Sequence, residues 1–298
     1  EFRKTVGDLA PADEELEAVG HFGVVVVAAR ERRDLGRVRG DEGRMPQLVL
    51  DAVGKRYGDV QAIGSVSLGV KAREFMAVVG PSGCGKSTLL QIAAGLIPAS
   101  SGSVVLDGTP VTAPPASVVY LFQQYSRSLL PWRSVLRNVA FAIEHRGFPR
   151  AEVRDRAMHH IARVGLEKFA QKYPWQLSGG MQQRVAIARA LTAEPRVLMM
   201  DEPFSSVDAL TRLDLQALIL EIWTAQPMTV LLVTHDVDEA VYLADRIAVL
   251  THRPSQVAEV VEVGLSRPRD AITTREVPRF LELRHHLLEN LLRRPDAA

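Results

Sequence analysis

A glycine-rich nonapeptide, GPSGCGKST at residues 80–88, has the pattern G-x-x-x-x-G-K-[ST] of loops that cradle phosphate groups. An apolar run at 75–79 precedes it and a helical pattern at 87–96 follows it. A loop between a strand and a helix offers backbone N–H groups and the positive end of a helix dipole to an anion. The predicted nucleotide-binding residues here are Gly80, Pro81, Ser82, Gly83, Cys84, Gly85, Lys86, Ser87 and Thr88. The alternative is a glycine-rich turn without a ligand.

Two residues of this loop have a specific predicted role. The ammonium of Lys86 is expected to reach the β and γ phosphates of ATP, and the hydroxyl of Ser87 is expected to bind Mg²⁺. Cys84, the only cysteine, excludes an internal disulfide and is compatible with a reducing cytosol. The position of Cys84 near a helix N-terminus could stabilise a thiolate. Bulky alkylation of this thiol is therefore expected to lower nucleotide turnover, and nucleotide bound beforehand is expected to protect the thiol from alkylation.

Two adjacent carboxylates end the apolar run VLMMDEPF, residues 197–204. In open α/β sheets, ligands bind at the C-terminal edge of the strands, where these side chains are predicted to lie. Asp201 is expected to hold Mg²⁺, and Glu202 to orient and polarise an attacking water. The alternative is a plain Asp-Glu-Pro turn after a strand.

A second glycine motif, LSGGMQQR at 177–184, leads into a helical run at 185–191. By the same backbone and dipole argument, Ser178, Gly179 and Gly180 are predicted to bind an anion at a helix N-terminus. The alternative is an ordinary helix cap, but the position of this motif between the glycine loop and the carboxylate strand favours the anion site.

The remaining patterns predict an α/β core. Further strand candidates are 118–122, 229–234 and 246–250. The runs at 197–201 and 229–234 are continuously apolar, which is typical of strands buried on both faces of a parallel sheet. Between residues 122 and 176 no strand pattern occurs, and helical patterns such as that at 151–164 replace it. This part of the chain is therefore predicted to be a helical insertion. After Pro278, helical spacing of Phe280, Leu283, Leu287 and Leu291 predicts a final helix that packs on the core, with a regulatory partner site as the alternative.

Composition narrows the function classes. The chain has 298 residues, with 36 Lys plus Arg against 35 Asp plus Glu. It therefore lacks the excess of positive charge that would indicate a nucleic-acid partner. No apolar stretch approaches the roughly 18 residues that span a bilayer. Residues 1–44 lack a periodic core pattern and are expected to be largely disordered, with a short packed extension as the alternative. Because the sequence opens on Glu1-Phe2, they are also interpreted as an upstream segment before a natural start at Met45.

Together the three motifs resemble those of the ATP-binding subunits of ATP-binding cassette (ABC) transporters, over about residues 48–250, and LSGGMQQR is the most specific part. The resemblance implies a P-loop NTPase fold with a mixed, mainly parallel sheet, an N-terminal antiparallel β part and an inserted helical subdomain. It implies one nucleotide-binding domain over 45–298, with the helical subdomain at about 125–180 and a C-terminal extension at about 252–298. It also implies a homodimer in which Ser178, Gly179 and Gly180 contact the ATP held by the other subunit.

The resemblance supplies further roles. Tyr57 resembles the aromatic residue that stacks on adenine, and Gln123 resembles the loop glutamine that contacts Mg²⁺ and senses the γ phosphate. His235 resembles the switch histidine that contacts the γ phosphate, and residues 205–208 resemble a dimer-contact loop. The alternatives are a turn aromatic for Tyr57, a solvated loop residue for Gln123, a structural histidine for His235 and a helix cap for Asp208. The chain departs from the family pattern at two places. Residues 205–208 read SSVD instead of the commoner SALD, and Arg73 occupies a position where many relatives have glycine.

The resemblance also implies partners. They are a separate transmembrane permease and, indirectly, an extracytoplasmic solute-binding protein, with the chain at the cytoplasmic face of the membrane as a peripheral ATP hydrolase. SLLPW, residues 128–132, lies where such proteins receive the permease, so Leu129, Leu130 and Trp132 are expected to form an apolar contact or else part of the helical core. The combination of this segment with the tail at residues 249–270 resembles the ATP-binding subunits of nitrate, sulfonate, taurine and bicarbonate importers. The alternatives are a soluble ATPase acting on nucleic acid or ribosomes and, more distantly, a small-molecule kinase.

Overall fold

The structure is a computed structural model that describes residues 24–25, 48–123, 128–226 and 228–292. The prediction of a disordered segment over 1–44 falls outside the described residues, except that 24–25 form a short strand, and it stays a prediction. Within the described ranges, no helix is long and apolar enough to cross a membrane.

One mixed sheet joins the described strands. They are β1 (Val24–Val25), β2 (Leu48–Tyr57), β3 (Val60–Val70), β4 (Phe75–Val79), β5 (Ser101–Leu106), β6 (Thr109–Pro110), β7 (Val118–Leu121), β8 (Val197–Asp201), β9 (Thr229–Val233), β10 (Arg246–Leu250) and β11 (Ser255–Glu262). The strand order is β1-β7-β8-β9-β4-β10-β11-β3-β2-β5-β6. Strands β7, β8, β9, β4 and β10 are parallel to one another, whereas β1 and β11 pair antiparallel with β7 and β10 at either side. In the other part of the sheet, β2 pairs antiparallel with β3 and β5. The predicted parallel core and antiparallel β part are both confirmed.

The α-helices of the described residues lie on both faces of this sheet. They are α1 (Lys86–Ala93), α2 (Val135–Ala140), α3 (Arg150–Arg163), α4 (Gly179–Thr192), α5 (Ala209–Ala225), α6 (Val237–Leu243) and α7 (Pro278–Leu292). The alternating residues of β4 divide the core: Phe75, Ala77 and Val79 pack with the apolar residues of α4 to α7, and Met76 and Val78 pack with those of α1. Burial on both faces explains why the central strands are continuously apolar.

The insertion between β7 and β8 is helical in its described part, as predicted. Of the two alternatives for SLLPW, burial in the helical core is correct for Leu129 and Leu130, and exposure is correct for Trp132. Leu129 and Leu130 are 2% and 5% exposed, because they join the helical core, whereas Trp132 is 62% exposed. The buried guanidinium of Arg189 on α4 ties this segment to the core by donating to the backbone carbonyl and the hydroxyl of Ser128, at 2.8 and 2.7 Å.

The turn before β4 explains why glycine would suit position 73. Arg73 has a φ of 59°, in the left-handed region that glycine adopts without strain. Its backbone N–H donates to Oγ1 of Thr229 at 3.0 Å, so the turn is anchored to β9 despite the arginine.

The C-terminal segment packs on the nucleotide-binding core. Phe280, Leu283 and Leu287 of α7 are at most 3% exposed and belong to the main apolar cluster, and α7 contacts α6. The predicted final helix and its apolar face are therefore confirmed.

Glu239 is an unusual buried carboxyl in the first turn of α6. It accepts a hydrogen bond from Nε2 of Gln216 on α5 at 3.4 Å. Burial first, and then the negative charge of Asp236, raise the pKa of Glu239 to about 8. The side chain is therefore largely neutral at pH 7.

We expect Glu239→Gln to change the pH dependence of stability. From pH 4.5 to about 8, folded wild type keeps a proton on Glu239 that the unfolded chain releases, so wild-type stability falls as pH rises through this window. Glutamine cannot lose this proton, so the Tm of the variant should gain on that of wild type from about pH 5 to about pH 8.5. Thermal melts across this range measure the gain.

The matched control is Glu221→Gln, which changes an exposed carboxylate on α5. Its Tm difference from wild type should not widen over the same pH range. A Tm difference for Glu239→Gln that stays constant with pH would contradict a neutral Glu239 in the folded chain.

Candidate functional site

The register of three parallel strands brings the motifs to one edge of the sheet. Asp201 at the end of β8 pairs with Val233 of β9, and Val233 pairs with Val78 of β4. Glu202, His235 and the glycine loop follow these positions within two residues. Segments more than 100 residues apart in sequence therefore end side by side.

The glycine loop has the backbone that a phosphate cradle requires. Gly83 and Gly85 have φ angles of 73° and 106°, in the region that favours glycine. A Cβ at Gly80 would lie 2.9 Å from Sγ of Cys84, so no larger residue fits there without a shift. The buried side chain of Lys86 folds back over the loop, and its Nζ donates to the carbonyl oxygens of Gly80 and Pro81 at 2.8 and 3.0 Å.

Ser87 and Asp201 meet directly. Oγ of Ser87 donates to Oδ1 of Asp201 at 2.8 Å, and the hydroxyl of Tyr120 donates to Oδ2 at 2.9 Å. Burial raises the pKa of Asp201, and the hydrogen bonds from Ser87 and Tyr120 oppose that rise because they stabilise the carboxylate. A hydroxyl and a carboxylate held side by side are hard oxygen donors, which fit Mg²⁺.

Glu202 lies at the centre of a second polar cluster. Nε2 of Gln123 donates to its Oε2 at 2.9 Å, and Nδ1 of His235 lies 3.1 Å from the same oxygen. The backbone of Glu202 has a φ of 45°, a left-handed conformation that is strained for a side chain with a Cβ. Its N–H still donates to the carbonyl of Val233 at 2.8 Å, so pairing with β9 holds the residue in this conformation.

Tyr57 belongs to a pair of strands, β2 and β3, that reaches the glycine loop through β3. It ends β2 and is 51% exposed, with Nζ of Lys55 5.1 Å from the centroid of its ring. On the next strand, Ala62 and Ile63 lie within 3.4 Å of the position that a Cβ would take at Gly85. The exposed ring is therefore available for stacking next to the phosphate loop.

The second glycine motif lies apart from this cluster. Ser178 caps α4, and its Oγ accepts from the N–H of Met181 at 3.3 Å. A Cβ at Gly180 would collide with Thr211 of α5. The described contacts of these residues are thus with their own helix and α5, not with residues 80–88.

The sequence did not identify two residues near the site, Tyr120 and Arg253. Tyr120 was part of a predicted apolar strand, and its hydrogen bond to Asp201 crosses 81 positions of sequence. Nη2 of Arg253 lies 3.7 Å from the position of a Cβ at Gly83. Only a buried tyrosine in an otherwise aliphatic run could have drawn attention to Tyr120, and no pattern singled out Arg253.

The expectation of a stabilised thiolate at Cys84 is wrong. The side chain is 2% exposed, and burial raises the pKa of the thiol. Lys86 and the backbone amides lower it, but by less. Desolvation therefore exceeds the attraction of the nearby positive groups, and the thiol stays protonated.

A phosphate loop, two carboxylates at the sheet edge and a mixed sheet define a P-loop ATP hydrolase. The chain belongs to the ABC transporter family, whose pattern matches residues 63–205. The uncharacterised ABC transporter ATP-binding protein MJ0412 of Methanocaldococcus jannaschii is 51% identical over 78% of this chain and 85% of its own length. The nitrate import ATP-binding protein NrtD of Synechococcus elongatus is 45% identical over 83% and 92% of the two chains. The taurine import ATP-binding protein TauB of Pseudomonas entomophila is 40% identical over 82% and 96%.

Solved structures agree with this assignment. The dimeric structure of the bacterial ABC transporter cassette MJ0796 has a TM-score of 0.64 and 31% identity, and covers 74% of this chain and all of the other. The same cassette is known as a dimer in a post-hydrolysis state with ADP and Pi. ATP binding and hydrolysis are thus properties of the family to which the chain belongs.

We expect Cys84 to react slowly with iodoacetamide, because its thiol is buried and protonated. Labelling of the folded chain at neutral pH, followed by mass spectrometry, should be at least about tenfold slower than labelling in urea. The control is Ser82→Cys in a Cys84→Ser background, which places an exposed thiol in the same loop and should label quickly. Equal labelling rates for Cys84 in folded and unfolded chains would contradict the burial. Alkylation of Cys84 is still expected to lower turnover, because the thiol packs against Gly80 so closely that even a Cβ there would lie 2.9 Å from Sγ.

Proposed function

We propose that this chain hydrolyses ATP to drive import of a small anion through a separate permease. The observation that carries the ATPase part is the convergence of Ser87 with Asp201, and of Gln123 and His235 on Glu202, at one sheet edge. The importer part is supported by the likeness to the nitrate and taurine import proteins.

ATP would bind with its phosphates in the loop of residues 80–88. Nζ of Lys86 would exchange the carbonyl oxygens of Gly80 and Pro81 for oxygens of the β and γ phosphates. The N-terminus of α1 adds backbone N–H groups and the positive end of its dipole. The exposed ring of Tyr57 would stack on adenine.

Mg²⁺ would be held by Ser87, Asp201 and the side-chain oxygen of Gln123. The metal would offset phosphate charge during transfer. Tyr120 keeps the Asp201 carboxylate oriented through Oδ2, which supports the ionised form that a metal needs.

Glu202 would orient and polarise the attacking water. Gln123 and His235 both contact Oε2, so Oε1 is the oxygen to which a water can donate. A carboxylate in this role contributes about 10²- to 10⁴-fold to the rate. His235, 58% exposed in its side chain, would turn towards the γ phosphate when ATP is bound.

The active unit would be a homodimer. The isolated chain keeps Ser178, Gly179 and Gly180 away from its own glycine loop, and the similar cassette MJ0796 is dimeric. We propose that the N-terminus of α4 in one subunit completes the phosphate site of the other, by the anion affinity of a capped helix.

A mixed dimer tests this composite site. One chain carries Lys86→Ala and the other carries Ser178→Arg, so an intersubunit arrangement leaves one intact site and an intrachain arrangement leaves none. The mixed dimer should hydrolyse ATP measurably, whereas each homodimeric variant should fall about a hundredfold below wild type. Differently tagged subunits and tandem purification give the pure mixed species. A mixed dimer as inactive as the two homodimers would contradict the composite site.

The substrate of the coupled permease is proposed to be a small anion such as nitrate, a sulfonate, taurine or bicarbonate. The chain would sit at the cytoplasmic face of the membrane and meet the permease through the helical insertion, where the exposed Trp132 offers an apolar contact. An extracytoplasmic binding protein would deliver the anion to the permease. A soluble ATPase acting on nucleic acid or ribosomes is the less supported alternative, given the import proteins among the relatives.

We expect a small anion to stimulate ATP hydrolysis by the chain in membranes with its permease and binding protein. Nitrate, bicarbonate, taurine and an alkanesulfonate are tested separately at fixed ionic strength, and phosphate release is measured. Glu202→Gln serves as the control that still binds ATP but lacks stimulated turnover. Stimulation by RNA or ribosomes, with none by the anions, would favour the alternative.

A further inference from the structure

The helix that follows His235 is too short to fix its own position. α6 has seven residues and begins two positions after His235. Asp236 caps it by accepting from the N–H of Glu239 at 3.1 Å. Isolated helices of this length are unstable in water, so the surrounding contacts decide where α6 lies.

Two arginines of the C-terminal segment hold the end of α6. Nη1 of Arg269 donates to the carbonyl oxygens of Tyr242 and Ala244 at 2.8 and 2.9 Å. Nη2 of Arg267 donates to the carbonyl oxygen of Leu243 at 2.9 Å. These guanidinium groups satisfy the last carbonyls of the helix and complement its negative end.

The same segment also reaches the first turn of α6, next to His235. Nη2 of Arg275 donates to Oε1 of Gln216 at 2.8 Å, and Nε2 of Gln216 donates to Oε2 of Glu239 at 3.4 Å. Gln216 and Glu239 are both buried. Arg284 adds an ion pair with Asp238, in which Nε lies 2.9 Å from Oδ1.

We propose that residues 264–292 form an intramolecular clamp that positions His235 for ATP hydrolysis, with Arg275 as a positioning residue acting through Gln216 and Glu239. The clamp holds α6 at both ends, and His235 lies directly before the N-cap of that helix. A small shift of α6 would lengthen the 3.1 Å contact between His235 and Glu202. The inference rests on the role proposed above for His235.

The clamp can be tested apart from folding, because two kinds of contact hold the segment. Phe280, Leu283 and Leu287 anchor it in the apolar core, and these residues do not contribute to the relay. Loss of the hydrogen bond from Arg275 should therefore leave the chain folded while loosening the first turn of α6.

We expect Arg275→Gln to lower kcat for ATP about threefold to tenfold, which is the size of one lost hydrogen bond, and to leave KM within about twofold of wild type. ATP affinity measured without Mg²⁺ should not change, since the glycine loop and Tyr57 are untouched. Arg275→Lys, which keeps the charge and a donor, should recover part of the loss.

The matched control is Arg279→Gln in the same segment. Nη2 of Arg279 donates to the carbonyl oxygen of Glu262 at 3.2 Å, outside the relay, so this variant should keep the wild-type kcat. Thermal melts of all variants show whether any loss follows stability instead. An equal kcat for Arg275→Gln and Arg279→Gln would overturn the clamp.

A double-mutant cycle with His235→Ala separates this inference from the proposed function. If Arg275 acts through His235, adding Arg275→Gln to His235→Ala should cause no further loss in single-turnover rate. Losses that multiply would overturn the route through His235. Full activity of His235→Ala would refute the role proposed for His235 itself, and a loss confined to His235→Ala would refute only the clamp.

Discussion

Parallel pairing of β8 with β9 and of β9 with β4 is the constraint on which the site depends. It sets Asp201, Val233 and Val78 in one row, so the residues that follow each strand emerge at the same edge. A slip of one residue in β8 would turn Asp201 to the opposite face of the sheet and break its contact with Ser87. The apolar burial of these strands on both faces is therefore what fixes the distances between the groups proposed to act on ATP.

Glu202 combines a strained backbone with a tightly held side chain. Its positive φ costs energy, and its hydrogen bond to Val233 together with the contacts of Gln123 and His235 maintains the conformation. Because both side-chain contacts converge on a single carboxylate oxygen, the carboxylate has a defined orientation. The role proposed for Glu202, orienting an attacking water, requires such a defined geometry.

The polar groups around α6 lie outside the sequence motifs that bind nucleotide. The family match ends at residue 205, whereas His235, α6 and the arginines that hold it lie further along the chain. The C-terminal segment therefore combines an apolar anchor, which adds stability, with directional hydrogen bonds to a very short helix. Apolar contacts are not directional, so only the hydrogen bonds can define where that helix begins.

The sequence by itself determined the nucleotide chemistry and the parallel core. Spacing within residues 80–88, the Asp-Glu pair after an apolar run and the periodicity of α7 depend on neighbours in the chain, and such local signals survive without a structure. Strand β4 agreed with its predicted bounds for the same reason, while α1 began at Lys86, one residue earlier than predicted.

Only the tertiary structure decided the electrostatics and the burial of particular side chains. Cys84 is protonated because its surroundings exclude water, and Leu129 and Leu130 are buried, which the motif around them did not reveal. The hydrogen bonds of Tyr120 to Asp201 and of Arg275 to Gln216 join residues that are 81 and 59 positions apart in the sequence. Desolvation and long-range hydrogen bonds depend on which segments meet in space, and the pattern within one segment does not contain that information.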